Sequence, residues 1–400
     1  MKYDFTSIID RSGMDAAAVD AIGSWEIAPA APREGFDFIP MWVADMNFAT
    51  APSITDAMIK RAEHPLFGYY SPREEYYASI IRWQESRNGM KELKKEYIGY
   101  ENGVLGGVIS AVNAYARPGD HILVHSPTYI GFIGTLESNG YHIVYSPLVK
   151  DQDGIWRMDY RDMEEKIRKY RIPVAIFCSP HNPTGRAWEK EELEQAAAIF
   201  EENRVKIISD EIWSDILLNG NRHIPFPMLS SYARENTVAL YAPSKTFNLA
   251  GLVGSYHVIY NKQMRDKVRA CSARTHYNSM NVLSMHALIG AYSPEGEEWV
   301  DQLKDVLSQN VNYACDYIRE HFDGVEVTRP DATYMLFLDA DKWCRKHGKT
   351  VADLLKAGWD VGVGWQDGRP FHGPNHIRMN LALPLEMAEE ALNRLKKYVF

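Results

Sequence analysis

The sequence predicts an α/β fold, with a large domain built on a mostly parallel sheet covered by helices on both faces and a smaller α+β domain after it. Three observations point there. Short β-branched runs alternate with amphipathic stretches from about residue 106 to 260, the pattern changes to long helices from about residue 290, and 400 residues that are 46% hydrophobic suffice for one big core and a lesser one. The expected division is an N-terminal segment, 1–45, packing with the small domain or across a dimer interface, then a large domain, 46–288, and a small C-terminal domain, 289–400.

In chain order, "GGVISAVNAYARPG" (106–119) carries apolar residues at helical spacing, and "HILVHSP" (121–127) and "YHIVYSPL" (141–148) read as strands. "PVAIFCSP" (173–180) is apolar without alternation, as a strand buried on both faces must be. "WEKEELEQAAAIFEEN" (188–203) returns to helical spacing, and "VKIISDE" (205–211), "TVALYAPS" (237–244) and "SYHVIY" (255–260) supply further strands. The small domain begins with the helical "EEWVDQLKDVLSQNVNYACDYIREHF" (297–322), continues through "VEVTRP" and "ATYMLFLDA", and ends in a helix from about residue 385. No repeat, low-complexity tract or Pro/Gly/Ser linker interrupts the chain.

Net charge is −9 and no run of five or six basic residues occurs, which argues against nucleic acid or an anionic membrane as partner. Four cysteines (Cys178, Cys271, Cys315, Cys344) stand far apart, fitting buried thiols in a reducing compartment better than a disulfide framework or a zinc site. The N-terminus has no apolar stretch like that of a signal peptide, and no apolar run approaches membrane-spanning length, so a cytoplasmic protein is expected.

Ligands of open parallel sheets sit beyond the carboxyl ends of the strands. There the sequence places "SPHNPTGR", "DEIWSD" and "APSK", offering Asn182, Asp210 and Lys245 to one crevice if the sheet order brings their strands together. Most lysines are solvated surface charges, but Lys245 lies among Tyr241, Ala242, Pro243, Phe247 and Leu249 with no acidic neighbour in sequence. A desolvated lysine loses its proton more readily and becomes a nucleophile towards carbonyl carbon.

Six segments in order then carry a family likeness: "PMWVADMNFATAP" (40–52), "FGYYSPREEYYASIIRW" (67–83), "FCSPHNPTGRAW" (177–188), "SDEIWSDI" (209–216), "APSKTFNLAGL" (242–252) and "HIRMNLALP" (376–384). With them the sequence resembles the fold type I pyridoxal-phosphate enzymes, the aspartate aminotransferase superfamily (class I/II), and within it the cystathionine β-lyase-like C–S lyases. The resemblance implies pyridoxal 5'-phosphate as cofactor, bound by the large domain. It matches Lys245 to the lysine that joins the cofactor's aldehyde, Asp210 to the carboxylate at the pyridinium nitrogen, Asn182 to the donor at the phenolic oxygen, and Tyr129 to the aromatic stacked on the ring. Val104 and Leu105, in "ENGVLGGV", fall where a helix N-terminus receives the phosphate, and Ser244 adds a hydroxyl. Tyr69 matches the tyrosine that reaches the phosphate in a neighbouring subunit, which implies a homodimer with shared sites. Arg378 matches the clamp on a substrate's α-carboxylate, so the substrate is expected to be an amino acid.

The activity so implied is α,β-elimination from cystathionine or a related S-substituted cysteine, giving pyruvate, ammonia and a thiol. An aminotransferase is the alternative, and a regulatory protein that retains the cofactor site is a third reading. The chain also departs from the pattern. Val253 stands eight positions after the lysine, where most aminotransferases of the superfamily have a phosphate-binding arginine, as is typical of the C–S lyase branch. Asn47 and Trp213 replace the aspartate and histidine usual in that branch, at positions expected close to the substrate pocket.

Overall fold

The computed structural model describes residues 1–25, 27–274 and 278–400. Its main sheet has eight strands, in the order Ile98–Asn102, Gly254–Val258, Thr237–Tyr241, Lys206–Asp210, Val174–Cys178, His121–Ser126, His142–Lys150 and Trp156–Met158. The five strands from Thr237–Tyr241 to His142–Lys150 are mutually parallel, while Gly254–Val258 and Trp156–Met158 run against their neighbours.

Pleating sends alternate residues of these strands into two separate cores. Val174, Ile176, Ile208, Val238 and Leu240 pack on one face with Val108 and Val112 of the helix Val104–Tyr115 and Val268 of Lys262–Ala273. Ala175, Phe177 and Ile207 face the other way, onto Met163 and Ile167 of the helix Tyr160–Tyr170 and Leu193 and Phe200 of Lys190–Glu202. Each large apolar side chain so buried contributes about 1.5–3 kcal/mol, which is why these strands must be apolar on both faces. Helix ends are fixed locally: Asp159 accepts from the Asp162 N–H at 3.0 Å, and Glu189 with Glu192 forms a capping box.

Beyond residue 290 a 28-residue helix, Pro294–His321, lies against the C-terminal helix Leu385–Tyr398. A three-stranded antiparallel sheet orders Met335–Asp339, His376–Asn380 and Gln366–Asp367. "VEVTRP" supplies no strand, only an isolated bridge between Glu326 and Asp339. Ile39–Pro40 pairs in parallel with Val363–Gly364, and Phe5 packs against Phe48 and Trp299, so the first forty residues tie the chain's beginning to both of its later parts. Among the described residues no helix is long and apolar enough to cross a membrane.

Candidate functional site

The sheet order sets Val174–Cys178, Lys206–Asp210 and Thr237–Tyr241 side by side, and Asn182, Asp210 and Lys245 at or beyond their carboxyl ends line one cavity of about 350 Å³. Val104, Leu105, Tyr129, Ser244 and Arg378 line it too. Tyr69, also expected at the site, is absent from this wall; it is fully exposed.

Lys245 lies within the turn of residues 243–248 that follows its strand, and its Nζ donates to the Ala44 carbonyl at 2.9 Å. The residue is partly exposed through the cavity, yet dense protein surrounds its amine. That burial, reinforced by the Arg378 charge and opposed by Asp45 and Asp210, lowers the pKa to about 8. Asp210 closes its strand and is buried; Oδ1 accepts from the Ile212 N–H at 3.1 Å. Burial raises its pKa to about 7, against the pull of that bond and of Lys245. Each group is thus held near neutrality for want of an opposite charge close enough to offset desolvation.

Arg378 comes from the small sheet, in register with Phe337 on one side and Gln366 on the other. Its guanidinium lies 4.4 Å from the Phe371 ring centroid, donates from Nη2 to the Trp42 carbonyl at 3.0 Å and from Nη1 to Asn182 Oδ1 at 3.3 Å. The residue is only 4% exposed, its Nε has no partner, and among the described residues no carboxylate forms an ion pair with it. Burial pulls its pKa down to about 10. An unpaired buried cation is costly, and a carboxylate entering the cavity would offset that cost.

The donor set fits pyridoxal phosphate. No side chain of the N-cap residue Gly103, at φ +76°, caps the helix Val104–Tyr115, and its first two residues, Val104 and Leu105, line the cavity, where their N–H groups can meet a phosphate. Gly131 makes room for the Tyr129 ring and the Leu105 methyl, both of which a Cβ would overlap. Asp210 can regain its negative charge beside a protonated ring nitrogen, and Lys245 can offer a neutral amine to an aldehyde.

Sequence reasoning missed Trp25, Ile27, Trp42 and Gln366, which also line the cavity. Trp42 lay inside a quoted segment, but nothing local marks Trp25 or Ile27. Of the two departures expected close to the pocket, Trp213 lines it, whereas Asn47 does not: its Oδ1 accepts from Arg11 at 3.0 Å.

Residues 37–395 match the family model "Aminotransferase class I and II". The chain belongs to that family of pyridoxal-phosphate enzymes and, within it, to the branch of the carbon–sulfur lyases. It is 34% identical over 363 residues to Cystathionine beta-lyase PatB of Bacillus subtilis (strain 168), covering 90% of this chain and 92% of that protein. It is 32% identical to Protein MalY of Escherichia coli (strain K12), over 84% of each. The PLP-bound C-S lyase from Staphylococcus hominis superposes with a TM-score of 0.87 at 31% identity, over 100% of this chain and 99% of that one. Pyridoxal phosphate is accordingly the cofactor of this enzyme, and its substrate is an amino acid, a small molecule.

Proposed function

We propose that the protein is a carbon–sulfur β-lyase that converts cystathionine or a related S-substituted cysteine, with water, into a thiol, pyruvate and ammonium. The observation that carries this reading is the pairing, in one cavity, of an amine with its pKa lowered to about 8 and a buried guanidinium with no acid partner. Lys245 would hold the cofactor covalently, Asp210 would face its ring nitrogen, Asn182 its phenolic oxygen, Tyr129 its ring face, and Val104, Leu105 and Ser244 its phosphate. When bound, the cofactor supplies an electron sink conjugated to the substrate's Cα.

Arg378 binds the α-carboxylate and so turns the Cα–H bond towards Lys245. The substrate's amino group would replace Lys245 on the cofactor, and the amine so released, free of its proton over part of the neutral range, takes the Cα proton. Asp210, ionised beside a protonated ring nitrogen, holds that nitrogen's proton in place while negative charge develops. Loss of the thiol from Cβ completes the elimination, and water releases pyruvate and ammonium. We also propose a homodimer in which Tyr69 reaches the phosphate in the neighbouring subunit; its full exposure in the single chain supports that placement.

Mixing the holoenzyme with cystathionine, cystine and S-alkyl cysteines while following pyruvate, thiol and ammonium tests the lyase reading. All three products should appear together, with a persulfide in place of the thiol when the substrate is cystine, and Lys245→Ala should form none. Background rates on every substrate would exclude elimination. A 2-oxo acid formed without thiol or ammonium, and only when a second 2-oxo acid is supplied as acceptor, would establish transamination, which the family's name also covers.

A further inference from the structure

The segment "SDEIWSDI" (209–216) carries three buried acids, Asp210, Glu211 and Asp215, of which Asp210 alone lines the cofactor cavity. Glu211 is wholly buried and meets four donors. Its Oε1 accepts from Ser209 Oγ at 2.8 Å and from the Phe226 N–H at 3.0 Å, and its Oε2 accepts from Tyr241 Oη and His223 Nε2, both at 2.6 Å. Those four bonds fill the acceptor positions of a carboxylate. Asp215 Oδ1 accepts from Trp83 Nε1, and Oδ2 from Thr246 Oγ1, each at 3.0 Å. Tyr241 ends the strand that leads to Lys245, four positions before it, and Thr246 follows the lysine directly. The two carboxylates thus fasten the chain that leaves Asp210 to the chain on either side of Lys245.

Taking a carboxylate out of water is costly, and apolar residues of similar volume would fill such positions at no loss of stability. What the hydrogen bonds add is direction, because each fixes a donor and an acceptor at a set distance and angle. The cofactor makes use of such order. Its aldehyde and its ring nitrogen stand on opposite sides of one rigid ring, so a lysine that joins the first and a carboxylate that faces the second must be held a ring's width apart. We propose, resting on the roles given above to Lys245 and Asp210 and on no particular reaction, that Glu211 and Asp215 are positioning residues that hold the turn of Lys245 at the separation from Asp210 that the cofactor ring spans.

Equilibrium dialysis of the full chain, freed of cofactor, against pyridoxal 5'-phosphate and against pyridoxamine 5'-phosphate tests this. Both compounds carry the ring and the phosphate, but only the first carries the aldehyde, so the ratio of the two affinities reports whether one ring reaches Lys245 and Asp210 together. Thr246→Val keeps the shape of the side chain and removes its hydroxyl, so the variant should fold, and it should lower that ratio by about tenfold. Glu211→Ala should lower it at least as far. Glu211→Gln, which can still accept from Ser209 and Phe226 and can donate to Tyr241 and His223, should restore most of it. A ratio unchanged from wild type in either Thr246→Val or Glu211→Ala would remove the corresponding carboxylate from the role, and unchanged ratios in both, even if the two affinities fall together, would overturn the proposal. If Glu211→Ala does not fold, Thr246→Val decides alone. Lys245→Ala checks the premise separately. It should abolish the preference for the aldehyde, and a preference kept in that variant would overturn the role of Lys245 itself and the proposal with it.

Discussion

Asp210 and Lys245 have opposite charges and are pushed towards neutrality by the same cause, so they leave distinguishable marks on stability. The folded carboxyl of Asp210, with its pKa near 7, keeps a proton that the unfolded chain releases near pH 4. Its contribution to the cofactor-free protein is therefore present below about pH 4 and is lost as pH rises to about 7, by roughly 4 kcal/mol at most. Lys245 acts in a separate window: between about pH 8 and 10.4 the unfolded chain holds more protons, so stability rises with pH there. Buried His125, His181 and His376, with pKa values of about 4, 3 and 4, also favour folding as pH rises through the acid range. The clean measurement is a comparison. Urea midpoints of wild type and Asp210→Asn at pH 4.5 and pH 7 should show the variant gaining relative stability at the higher pH; parallel pH profiles would contradict a raised Asp210.

Strands and helices deliver these side chains, and most of them were readable because they are buried on both faces. A parallel strand such as Val174–Cys178, wholly buried, must be written in apolar residues and cannot hide. Edge strands are less constrained. Ile98–Asn102 carries Gly99, Tyr100 and Glu101, and Trp156–Met158 is only three residues long, so neither announced itself as a strand. The site residues on strand ends could be read for a similar reason, since position relative to a predicted strand identified them. Trp25 and Ile27 could not, because what brings them to the cavity is packing against Trp42, not any local pattern. One glycine ties local structure to cofactor affinity. Gly131, in the first turn of the helix Ile130–Ser138, leaves space for Tyr129 and Leu105. Gly131→Ala should weaken pyridoxal-phosphate binding by about tenfold or more, in line with a cost of 1–3 kcal/mol for overpacking. Equilibrium dialysis against the cofactor would check it, and unaltered affinity would mean that Tyr129 moves aside freely.

The N-terminal segment does for the chain what neither later part does alone, joining Phe48 and Trp299 through Phe5 and the small sheet's flank through Ile39–Pro40. Phe5 is 3% exposed, and Phe5→Ala should cost about 3–5 kcal/mol of stability, read as a lowered denaturant midpoint; a loss below about 1 kcal/mol would show the segment to be loosely attached. The residues 43–47 that this segment leads into are held from remote places. Asn380 donates to the Val43 and Asp45 carbonyls at 2.7 and 2.6 Å, Tyr334 donates to the Ala44 carbonyl at 3.2 Å, and Asn248 bonds both backbone groups of Met46 at 3.0 Å. Lys245 meets Ala44 across 201 positions of sequence, and Asn380 meets Val43 across 337. Loops of that length close late, after local structure has formed. Lys245 therefore acquires its surroundings near the end of folding, and a half-folded chain holds no complete cavity. On dilution from denaturant, helical signal should return well before the capacity to bind cofactor, so that pyridoxal phosphate recognises finished molecules and passes over the rest.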